Sequence, residues 1–502
     1  MLNCQHFTSA RCRSCSLLSL SHDEVVSQKQ RWLSELFPEA EHLPLVECQQ
    51  PNGSRIRAKL AITGTATEPV IGFFDQARTL VPVDDCPLHH PLITNWMTSL
   101  RQFITDAHLV PYDPETDRGE LKFVVLTASP SHNTLMVQWV LRSKESVDRI
   151  RREWKRLGAD RECPVSVMSI NIQPLRSSQI QGDIELPVSD RTTLPVTYGA
   201  VTLHYESGGF IQTNHEIAKR LYATAAEWLQ ASDSGGNAVK DSVVDLARDP
   251  TTVVDERNSG EFHYSSEPRK FAAENAPQRR SGGILDLYCG SGAFALTVAM
   301  QGVTSLKAGE QRERQPGNEP AGSVGSRDLH PLLGNAVKDF VVDLARDPRT
   351  FVDDGNSGEF HYSSEPPKFA AQNPSQRCLM GIDVSPSSIR CANLAAAESR
   401  AQAEFQCVSL QTISPQFCAD LKAQWPFDTV ICNPPRRGLD GPGLELIRSL
   451  DVPQILYSSC DPKTLHRDCQ LLSNRWKVVR VQGFDMFPFT PHMEVLCLLR
   501  QR

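Results

Sequence analysis

A short apolar run, Ile455-Leu456-Tyr457, ends in Ser458-Ser459-Cys460, and Asp461-Pro462 then leads into a helical stretch, Thr464–Asp468. This is the pattern of a strand that delivers one thiol to the C-terminal edge of a sheet, where open α/β folds bind and transform ligands. An ionised cysteine is strongly nucleophilic, so Cys460 is a candidate covalent catalyst; for a lone cysteine, small-residue packing is the plainer reading. Near the end of the chain, His492-Met493-Glu494 stands just before a last apolar strand. A carboxylate set among apolar residues can have a raised pKa and act as a base, whereas a solvated glutamate needs no such role.

Two further stretches have the chemistry of a ligand crevice. Asp286-Leu287-Tyr288-Cys289-Gly290-Ser291-Gly292-Ala293-Phe294 is a glycine-rich first turn between a strand and a helix. Its two glycines allow close backbone approach, but Ala295 stands where the dinucleotide fingerprint has its third glycine. With Asp286 ahead of it, the turn suits a charged amino-acid moiety better than a pyrophosphate. Asp383 ends the next strand, where an acid can take both hydroxyls of a ribose. Together they specify a nucleoside-type cofactor, most simply S-adenosylmethionine. Asn433-Pro434-Pro435 is a rigid loop that points an amide and a carbonyl into the same crevice. Arg436 and Arg437 follow where amino-group methyltransferases carry a stacking aromatic, which favours contact with phosphate over amino-group chemistry.

At the other end, Cys4, Cys12 and Cys15 let one loop offer three thiolates to one metal centre, and Cys86 is the best fourth ligand. Four thiolates suit either zinc or an iron–sulfur cluster, and spacing does not choose between them.

The elements that must position these groups are bounded by size and composition. A chain of 502 residues exceeds one ordinary domain, and two or three are expected. A content of 40% hydrophobic and 22% charged residues is that of a soluble globular protein. No apolar run approaches the ~20 residues that span a bilayer. The N-terminus has arginines and cysteines where a signal peptide needs an apolar segment, so the cytoplasm is expected. There the 15 cysteines stay reduced. The net charge of −7 speaks against general affinity for nucleic acid, although acidic inserts can hide a basic groove.

From Arg55 to about Ile172, strands at Arg57–Gly64, Val70–Phe74, Leu121–Ala128, Leu135–Leu141 and Val165–Ile172 mix with helices at Pro91–Leu109 and Ser146–Leu157. Val201–Thr213 returns to strand and His215–Leu229 to helix. Gly236–Arg279 then recurs almost verbatim as Gly334–Arg377, with Val244–Pro250 matching Val342–Pro348. The copies flank a conventional strand–turn–helix, so they read as a duplicated insertion and not as a solenoid. Their polar composition predicts disordered inserts at 234–281 and 308–378. Beyond them, strand–helix alternation through Ser459 predicts a parallel sheet, with Trp476–Gln482 and Val495–Leu499 as an antiparallel edge. The fold class is α/β, with an α+β accessory domain at 1–195 carrying the cysteine-ligated centre and a Rossmann-like domain at 196–502.

The second domain, without its inserts, resembles the RNA uracil-C5 methyltransferases that make 5-methyluridine. The resemblance rests on Phe210-Ile211-Gln212-Thr213-Asn214, Asp286–Phe294, Gly381-Ile382-Asp383, Asn433-Pro434-Pro435-Arg436, Ser458-Ser459-Cys460 and His492-Met493-Glu494. It implies S-adenosylmethionine contacts at Gln212, Tyr288, Asp383 and Asn433, with Cys460 as nucleophile and Glu494 as base. The cysteines look like the [4Fe-4S] site of the family's 23S rRNA branch, with Cys4, Cys12, Cys15 and Cys86 as ligands. With Cys4 so near the start, the chain is most like the short 23S rRNA type without an N-terminal RNA-binding β-barrel. The implied partner is 23S rRNA, with no DNA or membrane, and the implied state is a cytoplasmic monomer. A tRNA-directed enzyme and a non-catalytic cluster-bearing RNA-binding protein are the other readings.

Overall fold

Two large sheets and one two-stranded hairpin are found among the described residues, and the first large sheet is antiparallel except at one crossover. A computed structural model describes residues 2–75, 79–157, 163–175, 179–233, 282–300, 378–425 and 427–502. The expected inserts at 234–281 and almost all of 308–378 lie outside the described residues. The chain opens with α1 (Gln5–Thr8), α2 (His22–Leu36) and the two-residue β1 (Glu41–His42). There follow β2 (Arg57–Gly64), β3 (Pro69–Phe74), β4 (Leu80–Pro82), α3 (Pro91–Asp106), β5 (Leu121–Ser129), β6 (Thr134–Leu141), α4 (Val147–Leu157), β7 (Val165–Ile172) and β8 (Ile184–Pro187). Their strands form a sheet of order β4-β3-β2-β5-β6-β7-β8. Only β6 and β7 run parallel, and α4 supplies the crossover that a parallel pair requires. Helix α3 buries Ile93, Trp96, Met97, Leu100, Phe103 and Ile104, a continuous stripe at helical spacing. Phe103 stacks on Trp139 of β6 at 5.0 Å between ring centroids, which fixes the helix to the sheet.

A hairpin of β9 (Thr193–Tyr198) and β10 (Val201–Glu206) comes next. The strand expected to run to Thr213 stops at Glu206, because Ser207-Gly208-Gly209 turns the chain with Gly208 at φ +87°. Phe210–Thr213 is therefore an irregular segment, and Gln212 reaches the site from a loop.

After α5 (His215–Asp233), the second sheet is built from β11 (Gly283–Leu287), β12 (Leu379–Asp383), β13 (Ala403–Cys407), β14 (Phe427–Cys432), β15 (Gln454–Ser459), β16 (Trp476–Phe484) and β17 (Glu494–Gln501). Residues 293–300 form α6, and α7 (Pro386–Ser399), α8 (Pro415–Gln424), α9 (Gly441–Leu450) and α10 (Pro462–Leu472) join the later strands. Each of α7 to α10 starts with Pro within its first turn, and a Ser or Asp side chain accepts a backbone N–H there. The strand order is β1-β16-β17-β15-β14-β11-β12-β13, so β11, which carries the glycine turn, sits between β14 and β12. The closing hairpin is antiparallel as expected, since β17 runs against both β15 and β16. It is not the edge. Strand β1 pairs in parallel with β16, joining Glu41 to Arg480 and His42 to Val481.

The N-terminal residues are thus built into the second sheet. Helix α2, opened by a Ser21–Glu24 capping box, buries Val25, Lys29 and Leu33. Lys29 Nζ donates to Asp485 Oδ1 at 2.6 Å, and both side chains are buried. No helix among the described residues is long and apolar enough to cross a membrane.

Removing one partner of a buried pair strands the other charge, which costs about 3–5 kcal/mol. Lys29→Met should lower the unfolding free energy by that order in denaturant melts, and Lys29→Met combined with Asp485→Leu should recover part of it. A single variant as stable as the parent would show that Asp485 finds another partner.

Candidate active site

Strand register brings the two expected catalytic residues together. The β15–β17 ladder ends with Ser459 opposite Val495, so the next step places Cys460 opposite Glu494. Cys460 is half-buried at the sheet's C-terminal edge. The turn after it is tight: Asp461 N–H donates to Ser459 Oγ at 3.1 Å, and Asp461 caps α10 by accepting from Lys463 N–H at 3.0 Å. Burial pushes the thiol pKa up, and Glu494 adds to this, while the Arg436 guanidinium bonds the sulfur and draws it back down. The sequence suggested phosphate for Arg436; the structure sets it against the Cys460 thiol.

Glu494 is 1% exposed. Ser458 Oγ donates to its Oε1 at 2.6 Å, and the Gln212 amide faces the same carboxylate. Burial outweighs both and raises its pKa to about 7. At neutral pH such a group is divided between its two forms, as a base for a single proton should be. Ser458, which the sequence offered only as part of the Ser458-Ser459-Cys460 motif without a role, is the residue that orients it.

The expected cofactor residues gather on the ends of neighbouring strands. Tyr288 follows β11 in the left-handed region at φ +60°, and its hydroxyl donates to Asp440 Oδ1 at 3.2 Å. Asp383 ends β12 and accepts from Gly290 N–H at 3.0 Å and Ser385 N–H at 2.8 Å, which ties the glycine turn to the second strand. Asn433 N–H reaches Leu287 O at 3.4 Å, so the Asn-Pro-Pro loop lies against the end of β11. Gly292 and Gly381 have no room for a Cβ: the ring of Phe405 would lie 2.9 Å and 2.3 Å away, respectively.

Two buried polar atoms here have no partner, Asp286 Oδ1 and Gln212 Nε2. Asp286 is fully buried, and burial lifts its pKa to about 8, with Asp383 adding to the rise. An unsatisfied carboxylate oxygen beside a glycine turn is suited to an ammonium or sulfonium group. The donor set therefore fits S-adenosylmethionine. The buried Tyr222 phenol feels both Glu494 and Asp286, which places Glu494 and the glycine turn around one side chain.

The four N-terminal cysteines also converge. Cys4, Cys12 and Cys86 all bear on Cys15, whose thiol is pushed up to about 12, chiefly by burial. His6 bonds Asp85 at 2.5 Å and so ties the loop of Cys4 to that of Cys86. Among the described residues, however, no group of His, Cys, Asp or Glu is disposed to hold a metal ion. The thiols are neighbours without a coordination geometry.

The family model described as tRNA (Uracil-5-)-methyltransferase matches residues 397–502, which carry the Asn433 loop, Cys460 and Glu494. The 23S rRNA (uracil(747)-C(5))-methyltransferase RlmC of Proteus mirabilis is 28% identical over 502 residues, covering 99% of each chain. That of Glaesserella parasuis is 29% identical, covering 99% of this chain and 98% of the relative. The crystal structure of Pyrococcus abyssi tRNA (uracil-54, C5)-methyltransferase with S-adenosyl-L-homocysteine superposes with a TM-score of 0.60. It is 20% identical and covers 97% of this chain and 85% of that one, a likeness of fold. With these matches, and with a thiol, a buried carboxylate and a nucleoside crevice on one sheet edge, the chain is similar to the S-adenosylmethionine-dependent RNA uracil-C5 methyltransferases along its whole length.

Proposed function

We propose that the enzyme methylates carbon 5 of a uridine in 23S rRNA, with Cys460 as nucleophile and Glu494 as base. The observation that carries this reading is the pairing across the strand ends of an Arg436-bonded thiol with a sealed carboxylate whose pKa is about 7. Carbon 5 of uracil is too weak a nucleophile to take a methyl group directly. The Cys460 thiolate adds to carbon 6, and the electron pair of the 5,6 double bond moves into an enolate. Carbon 5 of the enolate then attacks the sulfonium methyl, releasing S-adenosylhomocysteine. Glu494 removes the carbon 5 proton, the double bond re-forms, and the thiolate leaves. Gln212, Tyr288, Asp383 and Asn433 hold the methyl donor in this reading. Full-length relatives named for 23S rRNA support that substrate; the family model's description keeps tRNA as the second reading. Methylation of deproteinised 23S rRNA against tRNA separates the two. The substrate would place the enzyme in the cytoplasm, and one chain holds every group the scheme needs, so a monomer suffices.

The two catalytic assignments are separable. Cys460→Ala should form neither adduct nor product. Glu494→Gln keeps the size and hydrogen bonding of the side chain without its basicity. It should accumulate an RNA–protein species that survives denaturing electrophoresis and carries the methyl label. In the parent enzyme, release from that species should slow about tenfold per pH unit below 7 and level off above it, because only ionised Glu494 takes the proton. A Cys460→Ala enzyme that methylates, or a Glu494→Gln enzyme with normal turnover, would overturn the corresponding role; His492 would be the next base to test.

Cys4, Cys12, Cys15 and Cys86 would hold a [4Fe-4S] cluster, which would crosslink two loops and supply no step of the reaction. What supports this is that Cys4, Cys12 and Cys86 all lie close enough to Cys15 to act on it. Protein purified without oxygen should be brown with about four iron atoms per chain. One equivalent of zinc and no iron would rule the cluster out.

A further inference from the structure

The turn that leads into Glu494 is tied at three points to residues from the first part of the chain. Leu17 N–H donates to Phe489 O at 2.9 Å, Lys29 Nζ donates to Phe487 O at 3.3 Å, and Asp485 N–H donates to Val46 O at 2.8 Å. Phe489 carries the apolar one of these attachments. Its ring is 8% exposed and packs with Leu2, Cys4, Leu18 and Leu88, and Cys15 and Cys86 flank the same cluster. Its backbone is in the left-handed region, φ +61°, which a phenylalanine adopts only when its surroundings demand it.

From Phe489 the chain runs stiffly to the base. Thr490 Oγ1 donates to Phe487 O at 2.8 Å and accepts from His492 N–H at 3.2 Å, and Pro491 stands between. Met493 is fully buried, and Glu494 follows. A connection of this length between β16 and β17 would otherwise be free to wander, as loops are.

We propose that Phe489 is a positioning residue for proton removal: its ring, moored in the cysteine loop, holds the turn that sets Glu494 in place. The thiol-bearing loop thereby bears on one step of the reaction, the discharge of the adduct, without touching substrate. Thiol addition is less exposed to it, because Cys460 is carried by β15 and α10. This inference rests on the proposed roles of Cys460 and Glu494.

The test uses the full chain with a 23S rRNA fragment and labelled S-adenosylmethionine, timing the formation of the methylated adduct and its release separately. Phe489→Gly removes the ring while favouring the same left-handed backbone. It should slow release about 10- to 100-fold, the effect of a small misplacement of a reacting group. Adduct formation should stay within about twofold, so that the adduct accumulates. Phe489→Leu, which refills the pocket, should restore release. Leu17→Pro deletes the hydrogen-bond donor and keeps the ring, and it should give a milder form of the same split even if the glycine variant does not fold. Normal release in the variants, or equal losses in both steps, would overturn the positioning role. A parent enzyme that forms no methylated adduct would overturn the reading on which it rests.

Discussion

Glu494 is a carboxylate sealed within a sheet, and among the described residues no basic side chain pairs with it. Burying an ionised carboxylate without a counter-charge is costly, so the group holds its proton until near neutrality, with a pKa of about 7. Much of the catalytic half can be read as the means of enforcing that burial. Strand β17 begins at Glu494, is flanked by β15 and β16, and is followed by Val495, Leu496 and Cys497, all inaccessible. Had the closing hairpin been the sheet edge, β16 would have stood open to solvent beside it. The short β1 prevents this by covering β16 over Arg480 and Val481.

The N-terminal residues therefore do two jobs that their sequence does not advertise. Nothing in the composition of His22–Leu36 marks its docking side, because the buried stripe includes a lysine, Lys29, whose partner lies in the turn after β16. Strand β1 has two residues, too few for any alternation to register. Both depend on contacts between the two ends of the chain, and periodicity within a window carries no information about those. The strand ends were different. Cys460, Asp383 and Tyr288 were legible because an apolar run followed by a turn and a capped helix fixes where a side chain emerges in an α/β sheet. The turn at Ser207-Gly208-Gly209 was visible as glycines but was read through as strand, and Gln212 moved from a strand to a loop as a result.

Arg436 shows what residue type alone leaves open. An arginine after Asn-Pro-Pro is equally suited to a phosphate or to a thiolate, and only the fold decides which it meets. Here it bonds Cys460 and opposes the effect of burial on that thiol. The second arginine is engaged differently: its carbonyl accepts from Arg467 Nη2 at 2.8 Å, which leaves its own guanidinium for other contacts.

The proximity of Cys460 and Glu494 raises a conflict that the pKa values resolve. Two negative charges on facing strand ends repel, and Glu494 does push the Cys460 thiol up. An ordinary carboxylate, ionised from well below neutrality, would oppose the thiolate at every pH where the enzyme works. A carboxylate that titrates near 7 is partly neutral there, and Arg436 offsets the remainder. In the proposed reaction, once sulfur has bonded to carbon 6 it is a thioether without charge, and the repulsion between the two residues vanishes. Ionisation of Glu494 is then no longer opposed by its neighbour, and this is the stage at which a base is needed. In this reading the burial of Glu494 does more than make it basic: it sets the order in which the two side chains carry charge.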